Sequence, residues 1–132
     1  MRESVKDEPV PSKQTMKIGE VAERTALSLR SLRHWDDVGL VQPSARTDGG
    51  FRLYTEEDVQ RIFLIRRMKP LGYTLEEMRE LLDVVDALAE TPNDDALRLT
   101  LSQVREGAEI RRTKLSEQLG MADEFLEQLG RL

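Results

Sequence analysis

The stretch from Ser28 to Leu40, S-L-R-S-L-R-H-W-D-D-V-G-L, constrains the chain more than any other. It reads as a helix with a cap in front and a stop behind. The Ser28 hydroxyl can accept from a first-turn backbone N–H that has no helical partner. Gly39 can end the helix, because glycine enters the left-handed conformation at little cost. Between them Leu29, Leu32 and Val38 can face a core, while Arg30, Arg33, His34 and Asp37 fall largely on other faces. Arginine can fork onto the O6 and N7 of a guanine or onto a phosphate, as a recognition helix must. Alone, such a helix more often carries solvated arginines; its neighbours reverse that judgement.

Upstream, Met16–Thr25 reads as a short helix with an apolar stripe of Ile18, Val21 and Ala22. About three residues separate it from the restart at Ser28, which is the helix-turn-helix pattern. Downstream, Val41-Gln42-Pro43 is an extended exit, Asp48-Gly49-Gly50 a turn signal, and Phe51–Tyr54 an alternating short strand. The result is a hairpin with Arg46 on one arm and Arg52 on the other, able to clamp a phosphate backbone. A hairpin directly after a helix-turn-helix is a wing.

Thr55 restarts a helix with Asp58 as its acidic capping partner, and Glu56 and Glu57 suit the positive end of the helix dipole. Val59, Ile62, Phe63, Ile65 and Met68 supply core, while Arg61, Arg66, Arg67 and Lys69 supply positive charge. Pro70-Leu71-Gly72 ends this helix, and Thr74 with Glu77 forms a capping box for the next, whose buried stripe is Leu75, Met78, Leu81, Leu82 and Val85.

After the break at Thr91-Pro92-Asn93, Asn93 or Asp94 can cap a last helix. Leu97, Leu101, Val104, Ala108, Leu115, Ala122, Phe125 and Leu129 follow the three–four spacing of a coiled coil, interrupted by Arg111 and Gln118. Gly107 and Gly120 each weaken the helix by roughly 1 kcal/mol against alanine, and Gly120 is a candidate break. A helix of ~50 Å at 1.5 Å per residue cannot bury its stripe against a small domain to one side. A second copy of the chain is the expected partner.

Composition excludes several alternatives. No cysteine is present, which rules out disulfides and thiolate metal sites, and a single histidine makes a histidine metal site or catalytic triad improbable. No signal peptide or membrane span is visible, so a cytoplasmic protein is expected. No acid/base pair, nucleophile constellation or phosphate loop appears, so neither an enzyme nor a cofactor is expected. The net charge of −5 is unevenly spread: residues 13–72 carry 11 Lys/Arg against 8 Asp/Glu, and residues 73–132 carry 7 against 14. A basic N-terminal half is thus joined to an acidic C-terminal one.

Residues 16–85 resemble the MerR (mercury-resistance-regulator) family of bacterial transcription factors in three ordered motifs. These are I-G-E-V-A-E-R-T-A-L-S-L-R-S-L-R-H-W-D-D-V-G-L-V, then P-S-A-R-T-D-G-G-F-R-L-Y-T-E-E-D-V, then I-R-R-M-K-P-L-G-Y-T-L-E-E-M-R-E-L-L. The resemblance implies a dimer with a winged helix-turn-helix, a long antiparallel dimerising helix, and promoter DNA distorted between its −35 and −10 elements. It assigns the DNA-facing arginines to Arg30, Arg33, Arg46 and Arg52 and the wing-end tyrosine to Tyr54. His34 and Trp35 stand where the family usually has two adjacent tyrosines. Histidine can still donate to a phosphate; for Trp35 both a DNA contact and a packing role stay open. Phe51 stands where a wing tyrosine is common.

The expected architecture is therefore mainly α: a disordered arm over 1–15, a winged helix-turn-helix domain over 16–90, and a coiled-coil dimerisation helix over 91–132. The expected DNA contacts are Lys17, Arg30, Arg33, His34, Trp35, Arg46, Arg52, Tyr54, Arg66 and Lys69. The expected partners are double-stranded DNA, a second copy of the chain and, through the resemblance, RNA polymerase; no inducer is marked. No effector domain is expected after the last helix. The competing reading is a protein-interaction adaptor that uses the last helix. The net negative charge and the missing tyrosines favour the adaptor; the retained Arg30, Arg33, Arg46 and Arg52 weigh more heavily against it.

Overall fold

The computed structural model describes residues 14–132; the arm expected over 1–15 lies almost wholly outside the described residues. The elements run β1 (Met16–Lys17), α1 (Ile18–Thr25), α2 (Leu29–Asp37), β2 (Ala45–Arg46), β3 (Arg52–Tyr54), α3 (Glu56–Met68), a 3₁₀ turn (Lys69–Leu71), α4 (Leu75–Glu90) and α5 (Asp95–Gly130). The chain divides into two compact units, one ending at Met78 and the other beginning at Arg79.

In the first unit the sheet is three-stranded and antiparallel, in the order β1-β3-β2. Met16 pairs with Tyr54 and Lys17 with Leu53, while Ala45 pairs with Leu53 and Arg46 with Arg52. This corrects the expected two-stranded hairpin and the expected helix start at Met16. Lys17 is extended, with φ −78° and ψ 160°, and the open edge of β3 satisfies the backbone there.

Local chemistry fixes most helix ends. Ser28 Oγ accepts from the Ser31 N–H at 3.0 Å and caps α2. Gly39 follows α2 with φ +73°, and the Leu40 N–H returns to the Trp35 carbonyl at 2.8 Å. At α3 the Asp58 N–H donates to Thr55 Oγ1 at 3.2 Å and the Thr55 N–H to Asp58 Oδ2 at 2.9 Å, a complete capping box. The same reciprocal pair, at 2.8 and 3.1 Å, joins Thr74 and Glu77 ahead of α4. The end of α1 breaks the glycine rule: Ala26 adopts φ +58°.

The core of this unit gathers Val21, Leu32, Trp35, Leu40, Val41, Tyr54, Val59, Ile62, Ile65 and Met68, all buried. Leu29, expected inside, is 38% exposed. Trp35 and Leu40 are buried, and the turn at Gly39 returns the Leu40 N–H to the Trp35 carbonyl.

In the second unit Leu81 and Leu82 are buried along α4. Asp94 caps α5 by accepting from the Leu97 N–H at 3.0 Å. The helix then runs unbroken for 36 residues, roughly 54 Å at 1.5 Å per residue. The candidate break at Gly120 does not occur: a local penalty of roughly 1 kcal/mol is too small to interrupt hydrogen bonding that continues on both sides. No residue of α5 is buried. Leu97, Leu101, Val104 and Ala108 are half-exposed, and Leu115, Ala122, Phe125 and Leu129 are exposed.

Candidate nucleic-acid interface

Helix α2 presents Arg30, Arg33 and His34 to solvent, and none of the three takes part in an ion pair among the described residues. Arg30, Ser31, His34 and Trp35 line an open cleft of about 330 Å³ whose far wall is Lys69, from the 3₁₀ turn after α3. Two cations and an imidazole thus converge on one concave surface. Lys17 and Arg66 are exposed as well. Arg67 lies 5.4 Å from the centre of the Phe63 ring, a cation–π contact that holds this charge along α3.

The wing arginines are placed differently from the expected free clamp. Arg46 and Arg52 are direct cross-strand partners. Like charges so placed repel, and an acid from α2 lies between them. Asp36 Oδ2 accepts from Arg46 Nη2 at 2.9 Å and from Arg52 Nε at 2.6 Å. Arg52 Nη2 also lies 3.8 Å from Asp37 Oδ1. Asp36 is only 5% exposed, whereas Arg46 remains 46% and Arg52 24% exposed. Burial pushes the Asp36 carboxyl up, but the hydrogen bonds from Arg52 and Arg46 outweigh it and hold it below the ordinary aspartate value. The Arg52 guanidinium is raised by the same bond, against burial.

Trp35 and Tyr54, both expected at the DNA, stand in the core: Trp35 is 5% and Tyr54 1% exposed. The reason is periodicity. Trp35 lies three residues after the buried Leu32, and Tyr54 pairs with Met16 in the sheet. Among the described residues the Tyr54 hydroxyl has no hydrogen-bond partner, and burial raises its pKa above the usual phenol value.

Sequence reasoning missed Asp36, although a signal was present. Leu32, Trp35 and Asp36 share one helix face, so a carboxylate on that face must be buried and must find a cation. It also missed the pair that ties α1 to α3, in which Arg24 Nη1 and Nη2 donate to Glu56 Oε1 and Oε2 at 2.7 and 3.0 Å.

Comparison with known proteins agrees with this geometry. The MerR HTH family of regulatory proteins matches residues 16–84, and a second family description, "MerR, DNA binding", matches residues 59–131. The chain is 37% identical over 95 residues to a nodulation protein, NolA, of Bradyrhizobium elkanii, covering 72% of this chain and 43% of that one. The chain thus spans less than half the length of that relative. It is 33% identical over 110 residues to the HTH-type transcriptional regulator YfmP of Bacillus subtilis, covering 83% of this chain and 79% of that one. Among solved structures it resembles the N-terminal part of the B. subtilis multidrug transporter activator, with 32% identity, a TM-score of 0.53, and coverage of 84% of this chain and 97% of that one. With one family match spanning the winged helix-turn-helix and another reaching into the long helix, the chain belongs to the MerR family of DNA-binding transcription regulators.

Proposed function

We propose that this protein is a homodimeric, sequence-specific regulator that binds an inverted-repeat promoter site and distorts the DNA between its halves. The observation that carries the reading is the solvent face of α2: Arg30, Arg33 and His34 stand exposed on a capped helix, with Arg30 and His34 sharing a cleft with Lys69. Residues 16–90 form the DNA-binding part, with Lys17, Arg30, Arg33, His34, Arg66 and Lys69 as direct contacts and Arg46 and Arg52 as the wing's. Trp35 and Tyr54 support that surface from beneath. Residues 91–132 supply the dimer contact through Leu97, Leu101, Val104, Ala108, Leu115, Ala122, Phe125 and Leu129. A two-fold dimer presents two recognition helices to one face of a duplex.

RNA polymerase is the partner that such promoter binding serves, and the bacterial cytoplasm is where it takes place. No helix among the described residues is long and apolar enough to cross a membrane.

The test is binding to duplexes enriched from a random library by the purified protein. Arg30 stands at the N-terminal end of α2, where base edges come within reach. Arg30→Ala should cost on the order of 1–3 kcal/mol and relax selectivity at one position in each half-site. Equal weakening on enriched and scrambled DNA demotes Arg30 to a phosphate contact, and failure to enrich any sequence overturns the reading.

A further inference from the structure

The hairpin faces two arginines across a pair of strands, yet its charge is not fully available to DNA. Arg46 and Arg52 are register partners, and both donate to one oxygen, Oδ2, of Asp36. That carboxylate comes from α2, the helix that also carries Arg30 and Arg33, and it is buried. The shared buried acid cancels one of the two positive charges, and the exposed Asp37 stands 3.8 Å from Arg52 as well. The geometry has a second consequence. Arg46 and Arg52 are the only side chains of β2 and β3 with an ion pair to α2 among the described residues, so Asp36 ties the wing directly to the recognition helix.

We propose that Asp36 is a specificity-determining positioning residue: its carboxylate occupies the place of a phosphate between Arg46 and Arg52, holds the wing at a set distance from α2, and lowers the attraction of the wing for DNA of any sequence. Asp36 touches no DNA itself. It acts through the two arginines, which keep Nη1 and Nε on Arg46 and Nη1 and Nη2 on Arg52 as donors outside their bonds to Asp36. These are presented at fixed positions, so only a duplex whose backbone matches that spacing gains from them. A wing with two unpaired arginines on a loose hairpin binds any phosphate and discriminates poorly. The inference rests on the DNA-binding reading above.

The test compares the full chain with Asp36→Asn, which keeps the shape and removes the charge, and with Asp36→Glu, which keeps the charge. The probes are a duplex enriched from a random library by the parent protein and a scrambled duplex of the same composition, each titrated over a range of salt. Asp36→Asn should bind the scrambled duplex more tightly, with its salt dependence steeper by roughly one unit, and the ratio of the two affinities should fall about tenfold. Asp36→Glu should recover most of that ratio. A merely structural Asp36 would weaken both affinities together, as the folded fraction falls, without steepening the salt dependence; that result, or an unchanged ratio, overturns the proposal.

Circular dichroism of Asp36→Asn gives its folded fraction independently of binding. An affinity ratio that stays at the parent value in a folded variant overturns the proposal. If the parent enriches no sequence, the DNA-binding reading itself fails; if it does and the ratios stay equal, only the role of Asp36 fails.

Discussion

Asp58 Oδ2 accepts from both the backbone N–H and the hydroxyl of Ser44, at 3.1 and 2.6 Å, while also closing the capping box with the Thr55 N–H. One buried oxygen therefore starts α3 and anchors the approach to β2. The wing is held at two points, by Asp58 at its entry and by Asp36 across its strands.

Removing that oxygen should be felt in stability first. Asp58→Ala loses a cap and leaves the Ser44 and Thr55 donors without their acceptor, a change worth roughly 2–4 kcal/mol. Chemical denaturation of parent and variant measures it. A loss below about 1 kcal/mol would show that water replaces the carboxylate at little cost.

The Arg24–Glu56 pair gives a pH signature. The hydrogen bonds from Arg24 and then Gln60 bring the Glu56 carboxyl from its ordinary 4.5 down to about 2, against the effect of burial. A lowered folded-state value means that the stabilisation is present above pH 4.5 and is lost as pH falls toward about 2. Both side chains are well exposed, so the effect on overall stability is small. Carboxyl resonances followed by NMR titration should show the low midpoint in the parent and its return toward 4.5 in Arg24→Gln. A parent midpoint near 4.5 contradicts the pairing.

Ala26 holds a left-handed conformation, φ +58°, at the end of α1. An L-residue with a side chain costs roughly 1–2 kcal/mol there, and glycine removes the clash while adding freedom to the unfolded chain. Ala26→Gly should therefore stabilise by a net amount of about 0.5–1 kcal/mol. Destabilisation would mean that the Ala26 methyl makes contacts worth more than the strain. This residue hides its role in the sequence, since alanine ordinarily continues a helix.

Tyr54→Phe separates packing from DNA contact. The hydroxyl is buried and has no partner among the described residues. Deleting it removes an unsatisfied polar group whose burial costs on the order of 1–3 kcal/mol. The melting temperature should hold or rise, and affinity for an enriched duplex should not change. A loss of affinity at unchanged stability would show that the hydroxyl reaches the backbone after all.

What could be read from the chain beforehand was whatever local spacing decides. Ser28, Gly39, Thr55 with Asp58, and Thr74 with Glu77 all terminate helices as their side chains require, and the turn at Asp48–Gly50 pairs Arg46 with Arg52. What could not be read was pairing between distant segments. Met16–Lys17 is a strand only because Leu53 and Tyr54 offer an edge, and nothing in its own two residues says so. The wing arginines looked free because their acid lies ten and sixteen residues back, and the helix face it shares with Leu32 and Trp35 shows that it needs a cation without saying which.

The seam of α5 is the last expectation to test, and the continuous helix sharpens it. From Leu115 onward two rows compete. One runs Leu115, Gln118, Ala122, Phe125, Leu129; the other runs Leu115, Leu119, Ala122, Leu126, Leu129 and contains no polar residue. At about 100° per residue, Leu119 and Leu126 sit within roughly 40° of Leu115 around the helix, whereas Phe125 is about 80° away. Leu119 and Leu126 are 64% and 65% exposed, as an unpaired seam must be. Adopting the second row requires two consecutive four-residue steps, from Arg111 to Leu115 to Leu119, a stutter that locally unwinds a coiled coil. In a homodimer built on that row, Leu119→Glu places two unpaired carboxylates in a buried seam, a change that costs several kcal/mol. Phe125→Glu, at the edge of the seam, should cost less. Sedimentation at micromolar concentration should find the parent dimeric, Leu119→Glu monomeric and Phe125→Glu still associated. DNA affinity should fall with Leu119→Glu, because the second half-site contact is no longer intramolecular. A dimeric Leu119→Glu beside a monomeric Phe125→Glu restores the first row, and a monomeric parent removes the dimer altogether.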